Sequence, residues 1–171
     1  NGVQYHFRAD GRQILPYRVS RQYELTSSQG SNQRATPKYI ILHDVGSRAT
    51  GQQAASFMQR TANSNQAYTN FIVGNGGTVY LMKEPGTVSW GAGTAVNQNA
   101  PVQIELGQTS NAATFRRDYQ AYVALARDMA GKYNIPLTLD QGGAGAKGIK
   151  SHRWVSQHIW GDHQDPYEYL A

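Results

Sequence analysis

Two side chains that can transfer protons or bind a metal stand close together near the end of the chain. They are His163 and Asp165, in the segment GDHQDPYEYLA. Pro166 disfavours the helical region for the residue before it, so the sequence predicts an extended conformation here. In an extended segment, side chains two residues apart project to the same side. We therefore expect His163 and Asp165 to point at a common site.

The absence of cysteine limits the ligands that a metal ion could find in this chain. A catalytic zinc ion would need three ligands from histidine, aspartate and glutamate, with a fourth position left for water. His43 follows the apolar segment YIIL, and strand ends are where sites gather in α/β proteins. His152 opens the last predicted helix. Taken alone, each of these two histidines is more often structural than a ligand, and we assign His6 and His158 to structural roles.

The segments around these residues show strand patterns. Residues 39–42 are continuously apolar, which is typical of a strand covered on both faces. Residues 102–106 alternate, which places Gln103 and Glu105 on one face of another strand. The segment GNGG lies between two apolar runs and predicts a hairpin, as does Asp10-Gly11 near the start of the chain.

Helical patterns separate these strands. Thr50 and Gln53 form a predicted capping box, and apolar positions at helical spacing follow it: Ala54, Phe57, Met58 and Thr61. A long helix is predicted over 115–133, ended by Pro136, with its buried face formed by Phe115, Tyr119, Tyr122, Ala126, Met129 and Tyr133. A short helix follows His152, after the glycine-rich loop 142–148.

Strands mixed with helices predict an α/β (α+β) fold, a single domain with a central mixed β-sheet flanked by helices. The site is expected at strand ends and loops on one side of this sheet. A chain of 171 residues is long enough to bury one substantial core. Loop 26–37 is predicted to separate an N-terminal extension, residues 1–37, packed on the domain, from the main body, residues 38–171.

Composition restricts the class of partner. The net charge of +5 favours a polyanionic partner. The basic residues are scattered, and the pair Arg116 and Arg117 lies beside Asp118, so nucleic acid is not the expected partner. No run of 18 apolar residues is present, so we expect no membrane span. We also expect a monomer.

Five segments, in this order, carry a resemblance to a known family: YIILHDVGS, SWGAG, NAPVQIELG, SHRWVS and GDHQDPYEYL. Their order and spacing resemble the zinc-dependent N-acetylmuramoyl-L-alanine amidases, in the superfamily that also holds the peptidoglycan recognition proteins. The likeness is closest to the catalytic domains of bacterial autolysins and phage endolysins. It covers residues 38–171.

The resemblance implies a role for each matching residue. The implied ligands of one Zn²⁺ per chain are His43, His152 and Asp165. Glu105 matches the catalytic glutamate, and His163 matches a residue that sits against the substrate carbonyl. The implied substrate-binding residues are Trp90, Tyr68 and Asn99.

The implied reaction is hydrolysis of the amide between N-acetylmuramic acid and L-alanine of the peptidoglycan stem peptide. Two alternatives stay open: a peptidoglycan-binding module of the same fold without cleavage, and an amidase acting on released anhydro-muropeptides. The implied partners are peptidoglycan or muropeptides and anionic wall polymers. The implied location is extracellular or associated with the cell wall.

Overall fold

The computed structural model describes residues 6, 7, 9 and 13–166. The strands are β1 (His6–Phe7), β2 (Gln13–Ile14), β3 (Arg18–Ser20), β4 (Tyr39–Asp44), β5 (Phe71–Gly74), β6 (Thr78–Leu81), β7 (Val102–Leu106) and β8 (Gly148–Ser151). The helices are α1 (Gly51–Asn65), α2 (Thr94–Asn97), α3 (Ala112–Lys132) and α4 (His152–His158). No helix among these residues is long and apolar enough to cross a membrane.

Six strands form the central sheet in the order β3-β6-β5-β7-β4-β8. The neighbours β5, β7, β4 and β8 are parallel, whereas β6 is antiparallel to β5 and β3 runs parallel to β6. The predicted mixed sheet is therefore confirmed, and GNGG does connect an antiparallel pair. Because four adjacent strands run in the same direction, their carboxyl ends meet at one edge of the sheet, where His43 pairs with Glu105.

Helix α3 covers one face of this sheet, and α1, α2 and α4 cover the other. Alternation along β4 and β7 divides the side chains between these faces. Ile40, Val102 and Ile104 pack in the cluster that includes the buried side of α3. Ile41 packs with α4 on the opposite face, and the register of the strands puts His43, Gln103 and Glu105 on that same face.

Helix α3 begins at Ala112, three residues before the predicted start, because Asn111 caps it by accepting a hydrogen bond from the Thr114 N–H. Tyr122 and Ala126 are buried as expected. The expectation for Tyr119 is wrong, since this side chain is 41% exposed and stacks on Phe115. Tyr119 lies about 60° around the helix from Tyr122, at the margin of the buried stripe.

Helix α1 starts very close to the strand ends. The predicted capping box is present, with Thr50 accepting from the Gln53 N–H and Gln53 accepting from the Thr50 N–H. A Cβ on Gly51 would lie 2.8 Å from the Gly74 Cα, and one on Gly107 would lie 2.3 Å from the Gly51 nitrogen. This close approach holds the first turn of α1 against the ends of β5 and β7.

The N-terminal residues contribute both to the sheet and to a separate ribbon. β1 and β2 form a two-stranded antiparallel pair, and the predicted Asp10-Gly11 turn lies outside the described residues. β3 is an edge strand of the central sheet. The Lys83 ammonium donates to the carbonyls of Thr26 and Gln29, at 3.0 and 2.7 Å, and so ties loop 26–37 to the sheet. The division at residue 37 stays a prediction.

Candidate active site

Three side chains that can bind a metal converge at the carboxyl edge of the sheet: His43, His152 and Asp165. The two histidine Nδ1 atoms are 3.0 Å apart. Carboxylate oxygens of Asp165 lie 3.4 Å from His43 Nδ1 and 3.3 Å from His152 Nδ1. Ligands about 2.0–2.1 Å from one tetrahedral ion are about 3.3 Å from one another. The donor atoms therefore fit a single ion of zinc type.

Adjacent parallel strands bring the two histidines together. Leu42 in β4 pairs with Ser151 in β8. The residues that follow them, His43 and His152, therefore lie side by side at the carboxyl ends of the two strands. Both rings are buried, and their centroids are 4.7 Å apart. The carbonyl of Asp165 accepts a hydrogen bond from the Arg153 N–H, which ties the C-terminal loop to α4.

The start of α4 is held by a carboxylate from a neighbouring loop. Ser151 caps the helix by accepting from the Trp154 N–H. Asp140 accepts from both the Ser151 N–H and the Ser151 hydroxyl, each at 2.7 Å. This arrangement fixes the backbone from which the His152 side chain projects. The sequence predicted a helix at His152 but neither the Ser151 cap nor its contact with Asp140.

The charges of the group favour an ionised aspartate and act in opposite directions on the two histidine rings. Burial opposes ionisation of Asp165, but His152 and His43 outweigh it and hold the pKa of Asp165 well below its usual range. Burial lowers the pKa of His152. Burial also disfavours charge on His43, yet Asp165 and Glu105 outweigh this and raise its pKa. A carboxylate next to two imidazoles is a suitable donor set for a divalent cation.

Glu105 lies beside this group with an unsatisfied oxygen. It pairs in register with His43, and its Oε2 is buried without a hydrogen-bond partner among the described residues. Burial raises the pKa of Glu105 to about 8, assisted by Asp165 and Asp44 and opposed by His43. A buried carboxyl group with a strongly shifted pKa beside a cavity is a candidate general base.

His163 lies at the outer side of the group. Its ring stacks on His152, with centroids 4.0 Å apart and planes 14° apart. Its Nδ1 is 3.3 Å from a carboxylate oxygen of Asp165, and its side chain is 55% exposed. The expected common direction of His163 and Asp165 is thus observed. Its exposure distinguishes His163 from the two buried histidines.

An apolar cavity of about 680 Å³ opens next to Glu105. Its wall includes Phe57 and Met58 of α1, together with Trp90. Phe57 is 54% exposed, so one position of the predicted apolar stripe of α1 lines this cavity instead of the core. The core contacts of α1 come from the buried Ala55 and Ala62, with the partly buried Ala54 and Met58 packed against the same cluster.

Of the three predicted substrate-binding residues, two border the cavity. Trp90 and Tyr68 both line it, with ring centroids 5.0 Å apart. Tyr68 is only 1% exposed; its hydroxyl donates to the Val88 carbonyl and accepts from the Ser31 N–H. Tyr68 therefore supports Trp90 from behind.

The structure does not bring Asn99 to this site. Its carbonyl accepts from the N–H groups of Lys38 and Tyr39, where β4 begins, and its side chain donates to the Ala95 carbonyl. His43 lies four residues further along β4, about 13 Å away at the spacing of a strand. Asn99 thus braces the opposite edge of the sheet.

Gln103 belongs to the site although the sequence did not single it out. Its Oε1 is 2.9 Å from His43 Nε2, and the residue is fully buried. The alternation of β7 already placed Gln103 on the face of Glu105, which was the available signal. A pattern of alternation gives the face of a side chain but not its partner.

The chain is similar in sequence to known proteins. A family model described as N-acetylmuramoyl-L-alanine amidase matches residues 33–168. The endolysin of Listeria phage A511 is 43% identical over 136 residues, covering 78% of this chain and 39% of that protein. The lytic amidase of Streptococcus pneumoniae phage HB-3 is 31% identical over 142 residues, covering 78% of this chain and 42% of that protein. The chain thus spans about two fifths of the length of these relatives.

The fold is also similar to that of a solved structure. The Staphylococcus aureus hydrolase AmiA, in complex with its ligand, matches with a TM-score of 0.77 and 23% identity, over 90% of this chain and 74% of that one. Proteins of the matched family are generally zinc-dependent, and the group of two histidines and one aspartate can bind a metal. Because the family match extends from just before β4 to the loop that carries Asp165, the chain belongs to the N-acetylmuramoyl-L-alanine amidase family.

Proposed function

We propose that this chain hydrolyses the amide bond between N-acetylmuramic acid and L-alanine of the peptidoglycan stem peptide. We further propose that His43, His152 and Asp165 hold one Zn²⁺ per chain. The observation that carries the proposal is the cluster of donor atoms: the two histidine Nδ1 atoms lie 3.0 Å apart, and each lies 3.3 to 3.4 Å from one of the two Asp165 carboxylate oxygens. Beside this cluster, Glu105 Oε2 has no hydrogen-bond partner among the described residues. A zinc ion in such a site supplies a bound water of lowered pKa and polarises the carbonyl of an amide.

Glu105 is proposed to move the proton that hydrolysis requires. Its Oε2 has no hydrogen-bond partner in the part of the chain that the structure describes, and it can accept a proton from the attacking water. The same oxygen can then deliver that proton to the nitrogen of the departing amine. Burial raises the pKa of Glu105 to about 8 in the metal-free site, and this supports its ability to hold the transferred proton between the two steps.

His163 is proposed to stabilise the negative charge that develops on the carbonyl oxygen. Its ring is stacked on His152, and its Nδ1 faces Asp165, so its orientation is constrained even though the side chain is half-exposed. Removing one donor of this kind typically lowers the rate by about 10² to 10³.

The position of Glu105 also supports a proposal for how the two halves of the substrate are placed around the site. The departing amine belongs to the stem peptide and must lie within reach of Glu105, which borders the apolar cavity. We therefore place the stem peptide against Phe57 and Trp90, with Tyr68 behind Trp90. The muramyl part then lies on the side of His163. No role in this binding is proposed for Asn99.

The proposed setting is the cell wall, where a monomer would meet peptidoglycan. The net charge of +5 supports additional attraction to anionic wall polymers, which added salt would weaken. An activity restricted to released anhydro-muropeptides is a narrower form of the same proposal. Comparing intact peptidoglycan with small muropeptides as substrates separates the two.

Chelation tests the proposal and separates it from the binding-module alternative. Protein stripped of metal should lose hydrolysis of purified peptidoglycan, and about one equivalent of zinc should restore it. Full activity in the stripped protein would overturn the metal assignment. Stoichiometric zinc binding without any cleavage would favour the binding module.

A further inference from the structure

A buried chain of hydrogen bonds runs below His43, away from the proposed zinc position. His43 Nε2 lies 2.9 Å from Gln103 Oε1, and Gln103 Nε2 lies 2.9 Å from Asn97 Oδ1. Gln103 is 0% exposed and Asn97 is 8% exposed. Buried amides of this kind must satisfy both their donor and their acceptor ends.

Backbone groups at the far end of this chain fix its direction. Asn97 Oδ1 accepts from the N–H groups of Gly91, at 3.3 Å, and Ala92, at 2.9 Å. Because a backbone N–H can only donate, the Asn97 atom that faces them must be the amide oxygen. The group of Gln103 that faces this oxygen must then be its NH₂. That same NH₂ also lies 3.4 Å from the Ser89 carbonyl, which can only accept.

The oxygen of the Gln103 amide is therefore the end that faces His43. An amide oxygen can only accept, so His43 must carry its proton on Nε2. A neutral imidazole has one N–H, and with Nε2 protonated the lone pair is on Nδ1. Nδ1 is the atom that lies 3.0 Å from His152 Nδ1 and 3.4 Å from Asp165.

Close packing leaves the Gln103 amide little freedom to turn over. A Cβ added to Gly91 would lie 2.5 Å from Gln103 Oε1, so only a glycine lets the backbone pass this close to the amide oxygen. The Gln103 N–H itself donates to Asn70 Oδ1 at 2.9 Å, and the Ser89 hydroxyl donates to the same oxygen. The whole network is held by neighbouring strands and loops.

We propose that Gln103, oriented by Asn97, is a positioning residue that selects the Nε2–H tautomer of His43 and so directs its Nδ1 lone pair to the metal. The role in hydrolysis depends on the proposed function, but the tautomer and the metal affinity can be measured without turnover. Partners of this kind behind a metal-binding histidine typically change the affinity by about 10- to 100-fold.

The first measurement is the tautomer of His43 in the wild-type chain. Long-range ¹H–¹⁵N correlation spectra of the metal-free protein, taken in basic buffer where the ring is neutral, distinguish a proton on Nε2 from one on Nδ1. The proposal predicts the Nε2–H form. A neutral ring that carries its proton on Nδ1 would overturn it, and this readout involves no variant that might misfold.

The second measurement uses a variant and a control. Gln103→Leu removes the acceptor and should weaken zinc binding by about 10- to 100-fold with loss of the single tautomer. Asn111→Ala, which removes the cap of α3 on the opposite face of the sheet, should leave both unchanged. Unchanged zinc affinity in folded Gln103→Leu would contradict the proposal. If wild-type protein binds zinc in this way but leaves peptidoglycan intact, the proposed function fails and the positioning role stands.

Discussion

At the scale of single residues, the chemistry of Glu105 follows from where its carboxyl group is buried. Desolvation penalises the charged form, and two nearby carboxylates add to that penalty, so the pKa rises to about 8. The same burial that makes Glu105 a good proton acceptor in the proposed reaction destabilises the fold whenever the carboxyl ionises. Proton transfer and stability are therefore linked at this residue.

The pH dependence of stability tests this link. Below a pH of about 4.5 Glu105 is protonated in both folded and unfolded chains, and its effect on the free energy of unfolding is constant. As the pH rises toward about 8, only the unfolded chain loses the proton, so the wild type loses stability. We therefore expect the free energy of unfolding of metal-free Glu105→Gln to rise relative to that of the wild type, by at most about 1.4 kcal/mol per pH unit in this window.

Urea denaturation with chelator present, repeated across the window, measures the difference. Most other groups titrate in both proteins, so comparing the two removes their contribution. A difference that does not change with pH would mean that Glu105 is already ionised in the folded chain, and its assignment as a base with a raised pKa would fail.

His163 gives a second prediction at this scale. It is half-exposed and stacks on His152 without belonging to the cluster of donor atoms. His163→Ala should therefore retain one zinc per chain and lose kcat by about 10² to 10³. Metal analysis and steady-state kinetics on the same preparation test this. Loss of the zinc instead would make His163 a ligand.

At the scale of secondary-structure elements, the start of α4 is the part that positions a ligand. Ser151 caps the helix, binds Asp140 and immediately precedes His152. Ser151→Ala should reduce the free energy of unfolding by about 0.5–2 kcal/mol and weaken zinc binding about tenfold. Asn111→Ala is the matched control, because it removes the cap of α3 on the opposite face of the sheet.

We expect Asn111→Ala to lose comparable stability with unchanged zinc affinity. Calorimetric titration with zinc and urea denaturation, applied to both variants, distinguish the two effects. Equal zinc affinities in the two variants would show that the cap of α4 does not position His152.

Helix α1 supplies a prediction about the substrate. Phe57 projects into the apolar cavity beside Glu105, where the stem peptide is proposed to lie. Phe57→Ala should raise KM about fivefold, corresponding to about 1 kcal/mol of apolar contact, and change kcat little. Tyr119→Ala removes an aromatic side chain of similar exposure from α3 and serves as the control. A kcat/KM equal to that of the control would remove α1 from the binding surface.

At the scale of the whole molecule, the sequence predicted the elements better than the contacts between them. The apolar run at 39–42 predicted the strand that ends at His43, and the capping box predicted the start of α1. Tyr119 and Phe57 were predicted to be buried but are exposed, because helical spacing does not locate the edges of the buried face accurately. In α1, the edge that carries Phe57 faces a cavity. Asn99 was predicted to bind substrate because it lies within a family motif. Its hydrogen bonds to the N–H groups at the beginning of β4 instead hold it at the far end of that strand.

The site depends on the order and register of the strands, which no single segment of the sequence predicts. His43, Glu105 and His152 meet because β7, β4 and β8 are adjacent, parallel and in register. Strand order is a long-range property, and the local pattern of each strand is compatible with many orders. The resemblance to a known family supplied the missing information for the donor residues, whereas Gln103 and Asp140 became evident only from the packed structure.

The proposed function requires that the zinc site and Glu105 together hydrolyse the bond between the lactyl group and L-alanine. The most direct test is mass spectrometry of purified peptidoglycan after incubation with zinc-loaded wild type or zinc-loaded Glu105→Gln, with the metal content of each protein measured in parallel. We predict that the wild type releases stem peptides bearing a new N-terminal alanine, and that Glu105→Gln carries the same zinc but releases almost none. Intact peptidoglycan with both proteins would overturn the proposed hydrolysis, and equal release by both would remove Glu105 from it.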